Sequence, residues 1–202
     1  MWCPSLPVCV DKLPETPYSL IKQYDNTGQS LKDTQMKKKD SLWLLLYPLY
    51  QTIGTLRHEG SHALAATAEG AEVTQFVFWP SFDNGRLLWG HVSLHGPTTW
   101  FTTAAPYFCD LLIFFVALLV ILEAKPRRRW LWLNILIIGM LSPLVNSAYN
   151  YFGGLAGRFN DVGELLGVLD PIAVHLYFAL TLLFYAWGVY HCYFRKKTRH
   201  PE

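Results

Sequence analysis

The stretch LLIFFVALLVIL, Leu111–Leu122, decides the fold class of this chain. All of its residues are apolar, and with its flanks the apolar segment extends from about Thr98 to Leu122. An α-helix of about 20 mostly apolar residues is long enough to cross a bilayer. The stretch therefore predicts a membrane-spanning helix rather than a core helix of a soluble bundle.

Three further segments have comparable apolar character. They run from about Leu42 to Ala68, from about Trp130 to Tyr149 and from about Pro171 to Phe194. Tryptophan and tyrosine residues cluster near several of their ends, as expected for side chains that favour the membrane interface. We predict an all-α membrane protein with about four transmembrane helices, embedded in the lipid bilayer.

The composition agrees with this prediction. Hydrophobic residues make up 51% of the 202 residues and charged residues 16%, whereas a soluble domain has about a quarter charged residues. The formal net charge of +2 is too small for a protein that binds nucleic acid through a strongly basic surface. We therefore expect no nucleic-acid partner.

Clusters of basic residues border the apolar segments, at Lys37–Lys39, Lys125–Arg129 and Arg195–Lys197. These three places share one side of a four-span protein, and Lys and Arg are enriched on the cytoplasmic side. Both termini of this multi-pass protein are therefore predicted to be cytosolic, in a membrane that the sequence does not identify. The organisation is a polar N-terminal tail (1–40), a membrane-embedded domain (41–195) and a basic C-terminal tail (196–202).

A different pattern lies between the first and second apolar segments. Val73–Trp79 and Arg86–Leu94 are rich in β-branched and aromatic residues and flank Asp83-Asn84-Gly85. Asn-Gly is the strongest short-range signal for a two-residue hairpin turn. We predict a β-hairpin at the membrane surface, which either caps the helix ends or offers an edge that pairs with an extended peptide.

The first apolar segment contains the motif that carries chemistry, His58-Glu59-Gly60-Ser61-His62. On a helix, residues i and i+4 share one face, so both imidazoles can reach one metal ion while Glu59 contacts its bound water. Charged groups inside a membrane helix cost about 2.5–3.5 kcal/mol each on insertion scales, so they usually mark function. The pattern predicts a zinc site, and a polar cluster without metal is the alternative.

A zinc site of this kind needs a further ligand. Catalytic zinc usually has three protein ligands and one water, and no third histidine follows His62 at the metzincin spacing. The small residues that follow the motif let neighbouring helices approach closely and leave room around the site. The candidates elsewhere in the chain are Asp110, Asp161, Glu164, Asp170, His91, His95 and His175.

The segment His58–Ala66, followed by Gly70 and the β-rich stretch, resembles the site-2 protease family of intramembrane zinc metalloproteases, especially its compact branch. Ala105–Asp110 is similar to the family's small-residue-Pro segment at the start of a span. Asn160–Leu166 is similar to the later family motif whose aspartate supplies the third zinc ligand. The resemblance extends from about residue 42 to residue 166.

This resemblance implies an enzyme that binds one Zn²⁺ per chain through His58, His62 and Asp161, with Glu59 as the general base. It implies cleavage of peptide bonds in or near membrane-spanning segments, so the expected partner is a membrane protein substrate presented as a transmembrane helix. Asn146 and Asn150 are expected to contact the substrate or the oxyanion.

Two features depart from the family pattern. The usual Asn-x-x-Pro-x-x-x-Asp-Gly run is absent, because a Gly-rich stretch separates Asn150 from Asp161 and Val162 follows the aspartate. Asp161 therefore also fits a plain carboxylate at a helix N-terminus. Many family members open their site toward the cytosol, whereas the basic clusters here place it on the opposite side. Either this chain is inverted in the membrane relative to those members, or it has an odd number of spans.

Three other functions agree with parts of the sequence. They are zinc-dependent hydrolysis of a lipid, a non-catalytic membrane chaperone or assembly factor that kept the fold, and a transporter with a proton relay through His58, Glu59 and His62. The intact Glu59 argues against a non-catalytic protein, whereas the unusual second motif argues for one. A proton relay predicts no bound metal.

Overall fold

The computed structural model describes residues 45–83, 86–124, 126, 128–158 and 160–193, so the predicted tails 1–40 and 196–202 lie outside the described residues. Within them the chain is mostly helical, with four short strands after the first helix. The elements are α1 (Tyr47–Ala68), β1 (Glu72–Val77), β2 (Ser81–Asp83), β3 (Arg86–Leu88), β4 (His91–His95), α2 (Trp100–Leu119), α3 (Arg129–Leu136), α4 (Ser142–Leu155), α5 (Asp161–Val168) and α6 (Pro171–Tyr193).

Three stretches of the described residues are long and apolar enough to cross a membrane, Trp100–Ala124, Arg129–Leu155 and Pro171–Cys192. They correspond to α2, to α3 and α4 together, and to α6. The predicted fold class, a helical membrane protein with a hairpin after its first helix, is confirmed. The predicted first span corresponds to α1, a 22-residue helix whose polar residues, including the stretch from Arg57 to His62, lower its mean hydropathy.

The predicted hairpin is present as two consecutive antiparallel pairs. Strand β1 pairs with β4 in a register that sets Phe76 opposite Val92, and β2 pairs with β3. The strands are interrupted around Pro80, which has no backbone N–H to donate to a ladder. The expected Asn84-Gly85 turn lies outside the described residues.

Helices α3 and α4 are continuous with each other through a π-helical turn, Ile137–Leu141. Pro143 stands directly after the start of α4, and a proline removes one backbone donor and clashes with the preceding turn of a regular helix. The extra residue of a π turn accommodates such a break. In this turn the N–H of Ser142 bonds to the carbonyl of Ile137.

The largest apolar core lies where α2, α3 and α6 meet around Phe114, Met140 and Tyr185, all fully buried. Two glycines allow this close packing. A Cβ added at Gly139 would lie 2.5 Å from the Cβ of Ala117, and one added at Gly188 would lie 2.7 Å from Cζ of Phe114. Both distances are too short for carbon atoms in contact, so any side chain would force the helices apart.

We predict that Gly139→Ala lowers the free energy of unfolding by about 1–3 kcal/mol, the usual cost of overpacking a tight core. The matched control is Gly167→Ala in α5, where an added Cβ meets nothing within 4 Å. That control should be neutral or stabilising by up to about 1 kcal/mol, because alanine is the better helix former. Unfolding in mixed detergent micelles measures both variants, and equal stability of the two would contradict the packing described here.

Candidate metal centre

Helix α1 presents His58 and His62 on one face, with the ring centroids 4.9 Å apart. Asp161, the first residue of α5, faces both rings. Its Oδ2 lies 2.9 Å from Nε2 of His58 and 3.4 Å from Nε2 of His62. Among the described residues, these three are the one group of at least three His, Cys, Asp or Glu side chains whose ligand atoms all lie within 4.8 Å of one another.

The Gly-rich stretch that departs from the family pattern is what brings Asp161 to α1. Gly157 adopts φ +73° after the end of α4, a conformation that glycine adopts without steric cost. A Cβ added at Gly154 would lie 3.0 Å from N of Gly163 and from Cβ of Val162. The absence of a side chain therefore lets α5 fold back tightly against α4.

Asn160 fixes the start of α5 in this position. Its Oδ1 accepts a hydrogen bond from the N–H of Gly163 at 3.0 Å, which caps the helix, and its Nδ2 donates to the carbonyl of Asn150 at 2.8 Å. An Asn at this position is among the strongest N-caps. The residue before Asp161 thus ties the α5 terminus to α4 as well as to its own helix.

The contact of Nδ1 selects the neutral tautomer of His62 in which Nε2, the atom that faces Asp161, carries the lone pair. Its Nδ1 lies 2.8 Å from the carbonyl oxygen of Thr102. A carbonyl can only accept, so Nδ1 carries the proton and Nε2 keeps a lone pair. A metal-ligating histidine commonly has its second ring nitrogen bonded to a carbonyl in this way.

Asp161 receives a further hydrogen bond from the hydroxyl of Tyr107, 3.2 Å from Oδ2. Burial of Asp161 opposes ionisation, but the close contacts with His58 and His62 outweigh it and hold the pKa of this carboxyl well below its ordinary value. The group is therefore a carboxylate at neutral pH. Two imidazoles and one carboxylate are a ligand set that suits catalytic zinc.

The other candidates for a third ligand have different surroundings. Asp110 forms an ion pair with Arg57, and Glu164 accepts from the hydroxyl of Thr103. Asp170 accepts from the N–H of Ile172 at the start of α6. His175 contacts Tyr151, while His91 and His95 belong to β4. None of these six joins the three-residue group within the described part of the chain.

Glu59 lies beside the hairpin. A Cβ added at Gly90, just before β4, would lie 3.4 Å from Cγ of Glu59 and only 2.5 Å from Cγ2 of Thr55. The backbone at Gly90 therefore packs directly against this part of α1. The hairpin borders the group that the sequence predicts to be the general base.

Asn146 and Asn150, the expected substrate contacts, are engaged with neighbouring protein groups. Nδ2 of Asn146 lies 2.8 Å from Oδ2 of Asp110 and 3.2 Å from Nδ1 of His58. Nδ2 of Asn150 donates to both oxygens of Asn146 at 3.1 Å. The structure thus brings Asn146 to the site as a neighbour of His58, and a contact with substrate stays a prediction for both residues.

Four residues around the site were not predicted from the sequence, namely Arg57, Glu69, Thr102 and Tyr107. The contact between Arg57 and Asp110 could have been predicted. An arginine in an apolar helix needs a nearby carboxylate, and Asp110 is the acidic residue of the second apolar segment. Thr102 acts on His62 through its backbone carbonyl, which any residue type provides.

Glu69, at the end of α1, ties this helix to the start of α2. Its carboxylate accepts from N and Oγ1 of Thr99 and, at 2.8 Å, from Oγ1 of Thr102. Thr102 is also the residue whose carbonyl holds His62. The hydrogen bonds from Thr99 lower the pKa of the Glu69 carboxyl below its ordinary value.

We predict that Glu69→Gln destabilises the protein more at pH 6 than at pH 3. The folded-state pKa of Glu69 is depressed, so its contribution is present above the ordinary carboxyl pKa and is lost as the pH falls through the depressed value. Melting temperatures at the two pH values measure this effect. Glu72→Gln, at the exposed first residue of β1, is the control, and an equal effect of Glu69→Gln at both pH values would refute the prediction.

Comparison with known proteins identified a matching family model. A family model described as Peptidase M50B-like matches residues 41–157, more than half of the chain. The match spans α1, the hairpin, α2, α3 and α4, and it ends before Asp161. The comparison with curated proteins found no match, and the comparison with solved structures found none.

Proposed function

Because the chain belongs to the Peptidase M50B-like family, we propose that it is a zinc metallopeptidase that cleaves peptide bonds in or near membrane-spanning segments. The observation that carries this proposal is the grouping of the ligand atoms of His58, His62 and Asp161 within 4.8 Å of one another. Glu59 follows His58 directly in the sequence. The three apolar stretches support a site of action at a membrane.

His58 and His62 would hold one zinc ion through imidazole nitrogens, and Asp161 would complete the protein ligands. When bound, zinc supplies a Lewis acid that polarises a carbonyl and lowers the pKa of a water toward about 7. The carbonyl of Thr102 keeps the proton of His62 on Nδ1, away from the ligand atom. Tyr107 keeps Oδ2 of Asp161 turned toward the two rings.

Glu59 is the proposed general base. It takes a proton from the attacking water as the water oxygen bonds to the carbonyl carbon of the scissile peptide. It then delivers that proton to the amide nitrogen as the C–N bond breaks, so that the products are a carboxyl group and an amine. Its neighbour in the chain, His58, and the adjacent Gly90 backbone support a fixed position for this carboxyl group.

The substrate must reach the site in an extended form. Helical carbonyls already accept hydrogen bonds within their helix, so a transmembrane segment has to unwind before hydrolysis. The sheet of β1 and β4 has two strands within the described residues, which leaves outer edges that can pair with an extended peptide. The contact of Gly90 with α1 makes this edge a suitable guide toward Glu59.

We predict that Glu59→Gln lowers the rate of cleavage of a single-span reporter protein in proteoliposomes by about 10²–10⁴-fold, the usual contribution of general acid–base catalysis. Zinc content should be retained, because Glu59 is not a proposed ligand. Cleavage at the wild-type rate would exclude Glu59 as the base. A zinc-loaded wild type that cleaves no peptide would instead favour a non-catalytic member of the family, and activity on lipid alone would favour a lipid hydrolase.

Replacement of Asn84-Gly85 by two alanines tests the role of the hairpin. We expect slower cleavage of the reporter, because the turn sequence favours the strand register that presents the edge. Zinc content and melting temperature serve as controls for the rest of the fold. Unchanged cleavage of the membrane substrate would leave the hairpin as a simple cap.

A further inference from the structure

A proline lies inside helix α2, at a position where a regular helix uses the backbone N–H. Pro106 is fully buried, and α2 continues on both sides of it, from Trp100 to Leu119. In a regular α-helix the N–H of residue 106 bonds to the carbonyl four residues earlier, which is that of Thr102. Proline has no N–H, and its ring clashes with that same carbonyl. Pro106 therefore removes the regular partner of the Thr102 carbonyl.

The carbonyl that Pro106 frees is the one that contacts His62. The Nδ1 of His62 lies 2.8 Å from the carbonyl oxygen of Thr102, and both residues are buried. A membrane helix tolerates proline where a neighbouring helix satisfies the freed backbone group, and α1 does so here. Because the carbonyl only accepts, Nδ1 donates. In the neutral ring Nε2 then carries the lone pair, and this atom faces Asp161.

A second contact from α1 fixes the same residue of α2. Oγ1 of Thr102 donates to Oε2 of Glu69 at 2.8 Å. The Glu69 carboxylate also accepts from the backbone N–H of Thr99, the N-cap residue of α2, at 2.8 Å. The first turn of α2 is therefore held against α1 in the position where the freed carbonyl meets the imidazole of His62.

We propose that Pro106 is a positioning residue for the metal centre, which leaves the Thr102 carbonyl free to hold His62 in its ligating tautomer and orientation. The inference rests on the proposed function, because it assumes that Nε2 of His62 binds a divalent metal. A ligating histidine commonly donates its second ring N–H to a backbone carbonyl. In the interior of α2 such a carbonyl is available because the residue four positions later is a proline.

This role has opposite consequences for the helix and for the metal. A residue with an N–H at position 106 would bond to the Thr102 carbonyl and draw it toward the axis of α2. Helix α2 then gains a hydrogen bond, whereas His62 has to share its acceptor and its ring is held less firmly. Partners behind a ligating histidine contribute about 10–100-fold to metal affinity. Zinc binding therefore weakens although α2 becomes more regular.

The test uses the full chain in detergent, with Zn²⁺ titrated against a chelator of known affinity. Pro106→Ala supplies the N–H and is expected to weaken zinc binding by about 10–100-fold. Its matched comparison is the replacement of Pro106 by lactic acid through cell-free translation, which gives the same methyl side chain with an ester oxygen in place of the N–H. Both variants lack the proline ring, and only the alanine variant can donate to the Thr102 carbonyl. The alanine variant should therefore bind zinc more weakly than the lactic acid variant.

Two further variants complete the set. Pro106→Val also supplies the N–H and has as many side-chain carbons as proline, so it carries the test if Pro106→Ala does not fold. Pro171→Ala is the control, because Pro171 is the exposed first residue of α6. The first N–H of a helix has no carbonyl partner within the helix, so this control should bind zinc with the affinity of the wild type.

The visible absorption bands of Co²⁺-loaded protein give a second readout, which follows coordination geometry rather than stability. The bands should shift or lose intensity in Pro106→Ala and match those of the wild type in Pro171→Ala. A zinc affinity of the alanine variant equal to or above that of the lactic acid variant would overturn the inference and leave the proposed function intact. A wild type that binds neither metal would overturn the proposed function, and this inference with it.

Discussion

The Asp161 carboxylate contacts both imidazoles of α1, and its contact with His58 joins positions 103 residues apart in the chain. The rest of the site is arranged around this carboxylate. Asp161 reaches the imidazoles because α5 folds back onto α4 through a turn with a left-handed glycine and a close glycine contact. Helix α2 contributes Tyr107 to the same carboxylate and a carbonyl to His62. A three-residue group assembled in this way depends on the packing of four helices at once.

The apolar surroundings explain why the site is a network rather than a few isolated polar groups. An unpartnered charge inside apolar helices is expensive, so each ionisable group near His58 needs a partner. Arg57 is neutralised by Asp110 and bonded to the π-helical turn, and Asn146 connects that pair to His58. The charged groups near His58 thus satisfy one another through connected hydrogen bonds.

The sequence predicted the parts of this arrangement that depend on local pattern. The His-Glu-x-x-His spacing placed two imidazoles on one helix face, apolar length predicted the spanning helices, and β-branched residues around Asn84-Gly85 predicted the hairpin. It also suggested Asp161, by resemblance, although the family match ends before that residue. The sequence alone did not show that Asp161 lies close to the imidazoles, because this depends on the tight glycine contacts of the α4–α5 turn.

Other parts could not be predicted because they depend on tertiary contacts. The tautomer of His62 is set by a backbone carbonyl, which leaves no mark on residue type. Asp110 was a candidate ligand by composition, and only the position of Arg57 against α2 assigns it to an ion pair. The π-helical turn before Pro143 gave no separate signal within the apolar run, yet it supplies the carbonyl that receives Arg57.

The most direct test of the three-ligand zinc centre is the zinc content per chain of detergent-purified protein, determined by elemental analysis for the wild type, His62→Ala and Asp161→Ala. The account predicts about one zinc in the wild type and its loss or marked weakening in both variants, since catalytic zinc sites use three protein ligands. A well-folded wild type that contains no zinc, even after zinc is resupplied, would contradict it. Loss of zinc in His62→Ala alone would assign the third ligand to a residue other than Asp161.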